Sequence, residues 1–170
     1  MASDPLPVEQ VLTLLEELPQ RIDALTTGLS PAQLRTRPDD DSWSVVDVLA
    51  HLRSCADVWG DCIATILAED HPTIKAIDPR TWVRRTDYHD LEFQPSFHAF
   101  TTQRAALLTT LTTLTPDQWP RTATMTGAGK PIVRTLQSFA ARLARHERTH
   151  VTQIQRILAV QQAYQRTARQ

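Results

Sequence analysis

Apolar residues recur at helical spacing in four long stretches of the chain, separated by polar segments that carry proline. From Val8 to about Thr27, Val11, Leu15, Leu18, Ile22 and Leu25 form one stripe, with Pro19 placed to kink the helix. A polar connection follows. In it, Ser30 and Pro31 predict a single helical turn, Ser as cap and Pro at the first helical position, and Asp39, Asp40 and Asp41 predict a solvated acidic turn. The second long helix, Ser44 to about Glu69, opens with a capping box of Ser44 and Asp47, and Trp43 is placed to pack over Val48 as a hydrophobic staple. Its stripe of Val45, Val48, Leu49, Leu52, Trp59 and Ile63 predicts a broad buried face.

Residues 70–94, with Pro72 and Pro79, predict a long crossover containing one short helix and able to cover or line a pocket. A third helix starts at Pro95 with Phe97, Phe100, Leu107 and Leu111 inward, and its many threonines leave packing to hold it. The last helix runs from about Val133 to near Ala163. Leu29-Ser30-Pro31-Ala32-Gln33-Leu34 and Leu114-Thr115-Pro116-Asp117-Gln118-Trp119 echo one another, each after one apolar helix and before another, which suggests a duplicated helix–turn–helix unit.

Composition sharpens this pattern. Four glycines against eleven prolines favour helices closed by proline over glycine-turned strands. The expected fold is therefore all-α, an antiparallel four-helix bundle with a long crossover, in one domain spanning 1–170. With 18 Lys and Arg against 19 Asp and Glu, the net charge is 18 − 19 = −1, which argues against a phosphate-driven nucleic-acid binder. No apolar run approaches the roughly 18 residues of a membrane span. The start of the chain, with Asp4 and two prolines and no apolar core, does not read as a secretory leader, so the expected address is the cytoplasm. Cys55 and Cys62 are seven residues apart in one helix, roughly 10 Å along its axis, too far to bridge. They read as free thiols serving as small core residues, in keeping with a reducing compartment.

The last helix contains Arg145-His146-Glu147-Arg148-Thr149-His150. Two imidazoles one turn apart, about 6 Å along the axis, can both reach one ion at about 2.0–2.1 Å. They continue the stripe of Leu143 and Ile154 and so point inward, where unpartnered polar groups are costly. The letters also match HExxH, with Glu147 in the place of a general base. That arrangement needs a further ligand downstream, yet no Asp, Glu or His follows His150. A third ligand must come from earlier, and His51 on the second helix, in a stripe with Val48 and Cys55, supplies one. Three imidazoles with an open position make the pattern of a catalytic site. Glu147 reads either as a proton acceptor or as a surface partner of Arg145 or Arg148. Gln153 reads as an orienting group for a ligand or bound water, or as an interhelical hydrogen bond. Arg142, Arg145 and Arg148 form either a solvated face or a binder for a carboxylate. Asp57 falls off the His51 stripe. His71 and His89 read as surface imidazoles, and His98 as a core residue or a pocket wall.

Trp43-Ser44, a helix carrying His51-Leu52, and a final helix reading His146-x-x-x-His150-x-x-Gln153-Ile154 together resemble the DinB/YfiT-like superfamily of metal-binding four-helix bundles. The resemblance covers nearly the whole chain, and its specificity lies in the order and spacing of the motifs. It implies an antiparallel bundle, often a homodimer, with a divalent metal such as Zn²⁺ or Ni²⁺ held by a histidine triad, here His51, His146 and His150. It further implies metal-dependent hydrolysis, or transfer and isomerisation chemistry that uses a low-molecular-weight thiol. The alternative of another class is a metal-binding or dimerising module without turnover.

Overall fold

A computed structural model describes residues 6–167, so the reading of the chain's first residues, Asp4 among them, lies outside the described residues. Four long helices make a bundle: α1 (Val8–Thr26), α3 (Val45–Ala68), α5 (Phe93–Thr112) and α6 (Leu136–Thr167), with the single turn α2 (Pro31–Arg35) between the first two. The 32-residue α6 is the spine, packing along both α1 and α3, while α5 closes the other side against the same two helices. Pro19 lies buried inside a continuous α1. The sequence-level helices are therefore all present, and no helix of the described residues is long and apolar enough to cross a membrane.

The capping predictions hold in detail. At α2, the Ser30 hydroxyl accepts from the Gln33 N–H and the Gln33 side chain accepts from the Ser30 N–H. At α3, Ser44 and Asp47 do the same, and Asp47 is further gripped by the Ser44 hydroxyl at 2.9 Å, Arg37 Nε at 3.1 Å and His89 Nδ1 at 3.2 Å. Burial by itself would raise the Asp47 pKa, but the Ser44 N–H and hydroxyl and the Arg37 charge outweigh it and hold the carboxyl below its ordinary value. This cap anchors the first turn of α3, one turn before His51.

The core has two halves. One gathers Leu15, Ile63, Ile66, Leu111 and Leu143, and the other gathers Ile22, Leu49, Leu52, Phe100 and Ile154. On α6, His146 and His150 fall between Ala144 of the first half and Val151 of the second, so the candidate chemistry lies at the seam. Leu, Ile and Phe side chains fully removed from water on both sides stabilise that seam by roughly 1.5–3 kcal/mol each.

A small sheet, absent from the helical pattern of the sequence, accompanies the expected four-helix bundle. Strands β1 (Thr73–Lys75), β2 (Thr122–Thr126) and β3 (Ile132–Thr135) form a small sheet in the order β1-β2-β3, β1 parallel to β2 and β2 antiparallel to β3. The last helix thus begins at Leu136 rather than near Val133. The physical reason is local chemistry: Thr122, Thr124, Thr126, Ile132 and Val133 are β-branched and suit a pleated surface. The turn between β2 and β3 needs Gly127 and Gly129, at φ of +86° and +96°, a region other residues adopt only with strain. A Cβ on Gly127 would also stand 3.1 Å from the Lys75 side chain of β1.

The suggested duplication holds only at its first step. Thr115 N–H donates to Gln118 Oε1 at 2.9 Å, as Ser30 does to Gln33, but the second copy then leads into the hairpin instead of a long helix. The crossover is more ordered than the sequence suggested. It contains β1, the short helix α4 (Pro79–Trp82) capped by Asp78, and a 3-10 turn (Val83–Arg85), and it is tied down by Asp57. That carboxylate of α3 accepts from Trp82 Nε1 at 3.1 Å, Tyr88 OH at 2.8 Å and Gln103 Nε2 at 2.9 Å. Asp57 is thus a strut for the crossover, which explains its place off the His51 stripe.

Candidate metal centre

His51 on α3 and His150 on α6 both point their Nε2 atoms at that of His146 on α6. His146 Nε2 lies 3.3 Å from His51 Nε2 and 3.3 Å from His150 Nε2. Two ring nitrogens each about 2.0–2.1 Å from one tetrahedral ion would be about 3.4 Å apart, so this spacing fits a shared divalent cation. Helix geometry brings this about: one turn separates His146 from His150, and the capped, buried α3 lies alongside α6 to present the third ring.

Aromatic walls hold the rings. Trp43 stacks on His150, 6.0 Å between centroids and 8° between planes, and meets His51 edge-on at 5.2 Å. It also packs against the core half that contains Val48, so the residue expected as a staple serves as a wall of the site as well. Trp59 meets His146 edge-on at 5.0 Å, and the Arg142 guanidinium lies 4.7 Å over the Trp59 ring.

All three imidazoles are held below their ordinary pKa. Burial is the largest cause for each, followed for His51 by the charge of His150, with Arg80 adding to it; His51 falls to about 4. For His146 the order is burial, His150, His51 and then Arg142 and Arg80, bringing it to about 3. For His150, burial outweighs the opposing Gln153 hydrogen bond. Neutral rings with free lone pairs are what a metal requires.

Gln153 touches His150 directly. Its Oε1 lies 2.7 Å from His150 Nδ1, and since an amide oxygen only accepts, Nδ1 carries the proton and the Nε2 lone pair faces the other two rings. Its role is therefore to orient an imidazole. On His146, the buried Nδ1 has no hydrogen-bond partner.

Glu147 departs from both sequence readings. It is fully buried, does not line the cavity described below, and pairs with Arg104 of α5, not with Arg145 or Arg148. Burial raises its pKa, against which the Arg104 charge and hydrogen bond work. Sealed from solvent and engaged by a guanidinium, it is not placed as a general base. The signal for its partner was present: Arg104 falls on the inward stripe of α5, between Phe100 and Leu107.

Cys55 was read only as a core residue, and it is buried and free. Its Sγ also lies 3.5 Å from His51 Nε2, and the ligand atoms of His51, Cys55 and His146 all fall within 4.8 Å of one another. The clue was its position one turn after His51. Burial first, and then the Glu147 charge, push its thiol well above the ordinary range, while burial pushes Cys62 to about 11. Neither is poised as a thiolate in the metal-free protein. His71 and His89 are exposed, as expected, whereas His98 is exposed on α5 and is neither core nor pocket wall.

A cavity of about 790 Å³ opens in front of His51, Cys55 and His146, walled by α3 and α6 and by the β2–β3 hairpin and the residues leading into α4. A second cavity of about 560 Å³, sharing no lining residue with the first, reaches His150, Gln153 and Trp43.

The chain is similar to proteins named for metal chemistry. It is 27% identical over 153 residues to a Geobacillus thermodenitrificans protein named "Putative metal-dependent hydrolase", covering 86% of this chain and 82% of that one. A Halalkalibacterium halodurans protein of the same description is 28% identical over 141 residues, 83% of this chain and 80% of that one. Among solved structures, YfiT from Bacillus subtilis, described as "a probable metal-dependent hydrolase with an unusual four-helix bundle topology", superposes with a TM-score of 0.78 at 20% identity, covering 92% of this chain and 90% of that one. Residues 14–154, which take in most of α1, all of α3 and α5, and α6 as far as Ile154 with all three converging histidines, match the DinB superfamily, and the chain belongs to it.

Proposed function

We propose that this chain is a metal-dependent enzyme in which His51, His146 and His150 hold a divalent ion, zinc or nickel, beside the larger cavity. The observation that carries the reading is that His146 Nε2 lies 3.3 Å from the Nε2 atoms of both His51 and His150 on one seam of the bundle. Such an ion with an open position lowers the pKa of a bound water or thiol and makes it nucleophilic near neutral pH. Gln153 keeps His150 in the tautomer that leaves Nε2 free, and Trp43 and Trp59 limit water around the rings. The names of the relatives favour hydrolysis as the reaction. A second reading, transfer of a low-molecular-weight thiol to an electrophile, is favoured by the sealing of Glu147 against Arg104, because a thiolate attacks without a general base.

The test is elemental mass spectrometry of tag-free protein purified without added metal, beside the triple variant His51→Ala, His146→Ala, His150→Ala. Near-stoichiometric metal in the parent and none in the variant is the expected result. Metal lost on Cys55→Ser but kept on His150→Ala would move the ligand set to His51, Cys55 and His146. No metal after incubation with Zn²⁺ or Ni²⁺ would overturn the proposal. With metal bound, ester and amide hydrolysis is compared with consumption of electrophiles in the presence of cellular thiols. Stoichiometric metal without turnover in either screen would leave a binding module.

A further inference from the structure

The 790 Å³ cavity in front of His51 and His146 has a charge pattern that the metal reading does not require. Four cationic side chains line it, Arg80, Lys130, Arg134 and Arg142, against one carboxylate, Asp78. They come from three separated parts of the chain: the start of α4, the turn and second strand of the β2–β3 hairpin, and α6. The excess of three positive charges stands out in a chain whose net charge is −1. Asp78 offsets one of the four, and its Oδ1 also accepts the Arg80 backbone N–H at 2.9 Å as the cap of α4. All four cations are exposed to solvent at the edge of buried wall residues such as Val58, Trp59 and Phe139, so an entering anion meets a net positive charge.

Arg142 is held in place by its ring contact. Its guanidinium lies 4.7 Å over Trp59, the same indole that meets His146 edge-on. Between the cations the wall is apolar, formed by Val58, Trp59, Met125 and Phe139. The cavity therefore offers imidazole nitrogens, a largely buried aromatic and aliphatic wall, and four exposed cations, two of them on the hairpin.

We infer that this cavity selects an organic anion, an apolar or aromatic body bearing a carboxylate or phosphate that Arg134, Arg142 and Lys130 receive while its other end faces His51 and His146. The inference rests on the metal-site proposal only for where the reacting end lies. Arginine suits this role because its planar fork takes a carboxylate or phosphate through two parallel hydrogen bonds. The hairpin, absent from the helical pattern, then supplies specificity to a site whose ligands are all helical.

Two fluorescent probes of nearly the same body test it: 8-anilinonaphthalene-1-sulfonate, an anion, and N-phenyl-1-naphthylamine, its uncharged counterpart. Both are titrated into the full chain, metal-free and zinc-loaded, at low and at high salt. The expected result is at least about tenfold tighter binding of the sulfonate, about 1.4 kcal/mol, weakening with salt. The Arg134→Ala, Arg142→Met double variant should lose that preference and keep its affinity for the neutral probe. Methionine at 142 preserves cover over Trp59, and circular dichroism checks that the helices remain. Arg21→Ala, an exposed cation of α1 away from the cavity, should change nothing. Equal affinity for the two probes, or loss of preference in Arg21→Ala to the same extent, overturns the inference. Competition with 4-phenylbutyrate and with phenyl phosphate identifies the preferred anion, and displacement by neither also overturns it. An anion preference in protein that takes up no zinc would keep this inference and defeat the metal proposal, and zinc uptake without preference would do the reverse.

Discussion

Arg104 and Glu147 show how much a single residue's meaning depends on its partner. By sequence, Glu147 lies inside an HExxH pattern and invites the role of a base. In the structure its charge is buried with a guanidinium from 43 positions earlier in the chain, and Arg104 Nε, Arg104 Nη1 and Glu147 Oε2 are left without hydrogen-bond partners. Such a pair is costly to break from one side and cheap to replace whole. Glu147→Leu or Arg104→Met alone should each lower unfolding stability by about 3–5 kcal/mol, while the double variant recovers most of that loss. Chemical denaturation of the four proteins measures the cycle. Metal content unchanged in the double variant would agree with a structural pair, whereas metal lost in proportion to Glu147 would return that residue to the site. Gln153 makes a related point: the sequence readings were a group that orients a ligand or water, or an interhelical bond, and its bond goes instead to His150 three residues earlier on the same helix.

At the scale of elements, α1, α3, α5 and α6 were legible because a helix writes its buried face into the local sequence at a fixed period, and the caps at Ser30 and Ser44 mark where helices begin. The sheet was not legible. Its strands are three to five residues long, too short for alternation to stand out, and β1 pairs with β2 about fifty residues away. The crossover depends on one long-range acceptor. Asp57→Ala would leave Trp82, Tyr88 and Gln103 without their shared partner and should lower stability by about 1–3 kcal/mol. Limited proteolysis should then cut first within residues 70–92, with the long helices preserved by circular dichroism. Cleavage elsewhere, or no change in rate, would contradict the strut.

In the molecule as a whole, the three candidate ligands bridge two helices at the seam between the two core halves, so a metal there would bind the folded state and not the unfolded one. Thermal unfolding should shift upward with zinc, by the equivalent of about 2.7 kcal/mol at a free concentration one hundred times the dissociation constant. A chelator should reverse the shift, and His51→Ala should abolish it. A melting temperature indifferent to zinc would separate the site from folding altogether. Sequence alone determined the four long helices, their caps and the inward face shared by His146 and His150, because each of these follows from contacts within a few residues along the chain. The tertiary structure decided that His51 meets those two rings, that Cys55 stands beside them, that Glu147 belongs to Arg104, and that a hairpin brings cations to the cavity. Those outcomes depend on which faces of distant segments are pressed together, and packing of the whole chain sets that.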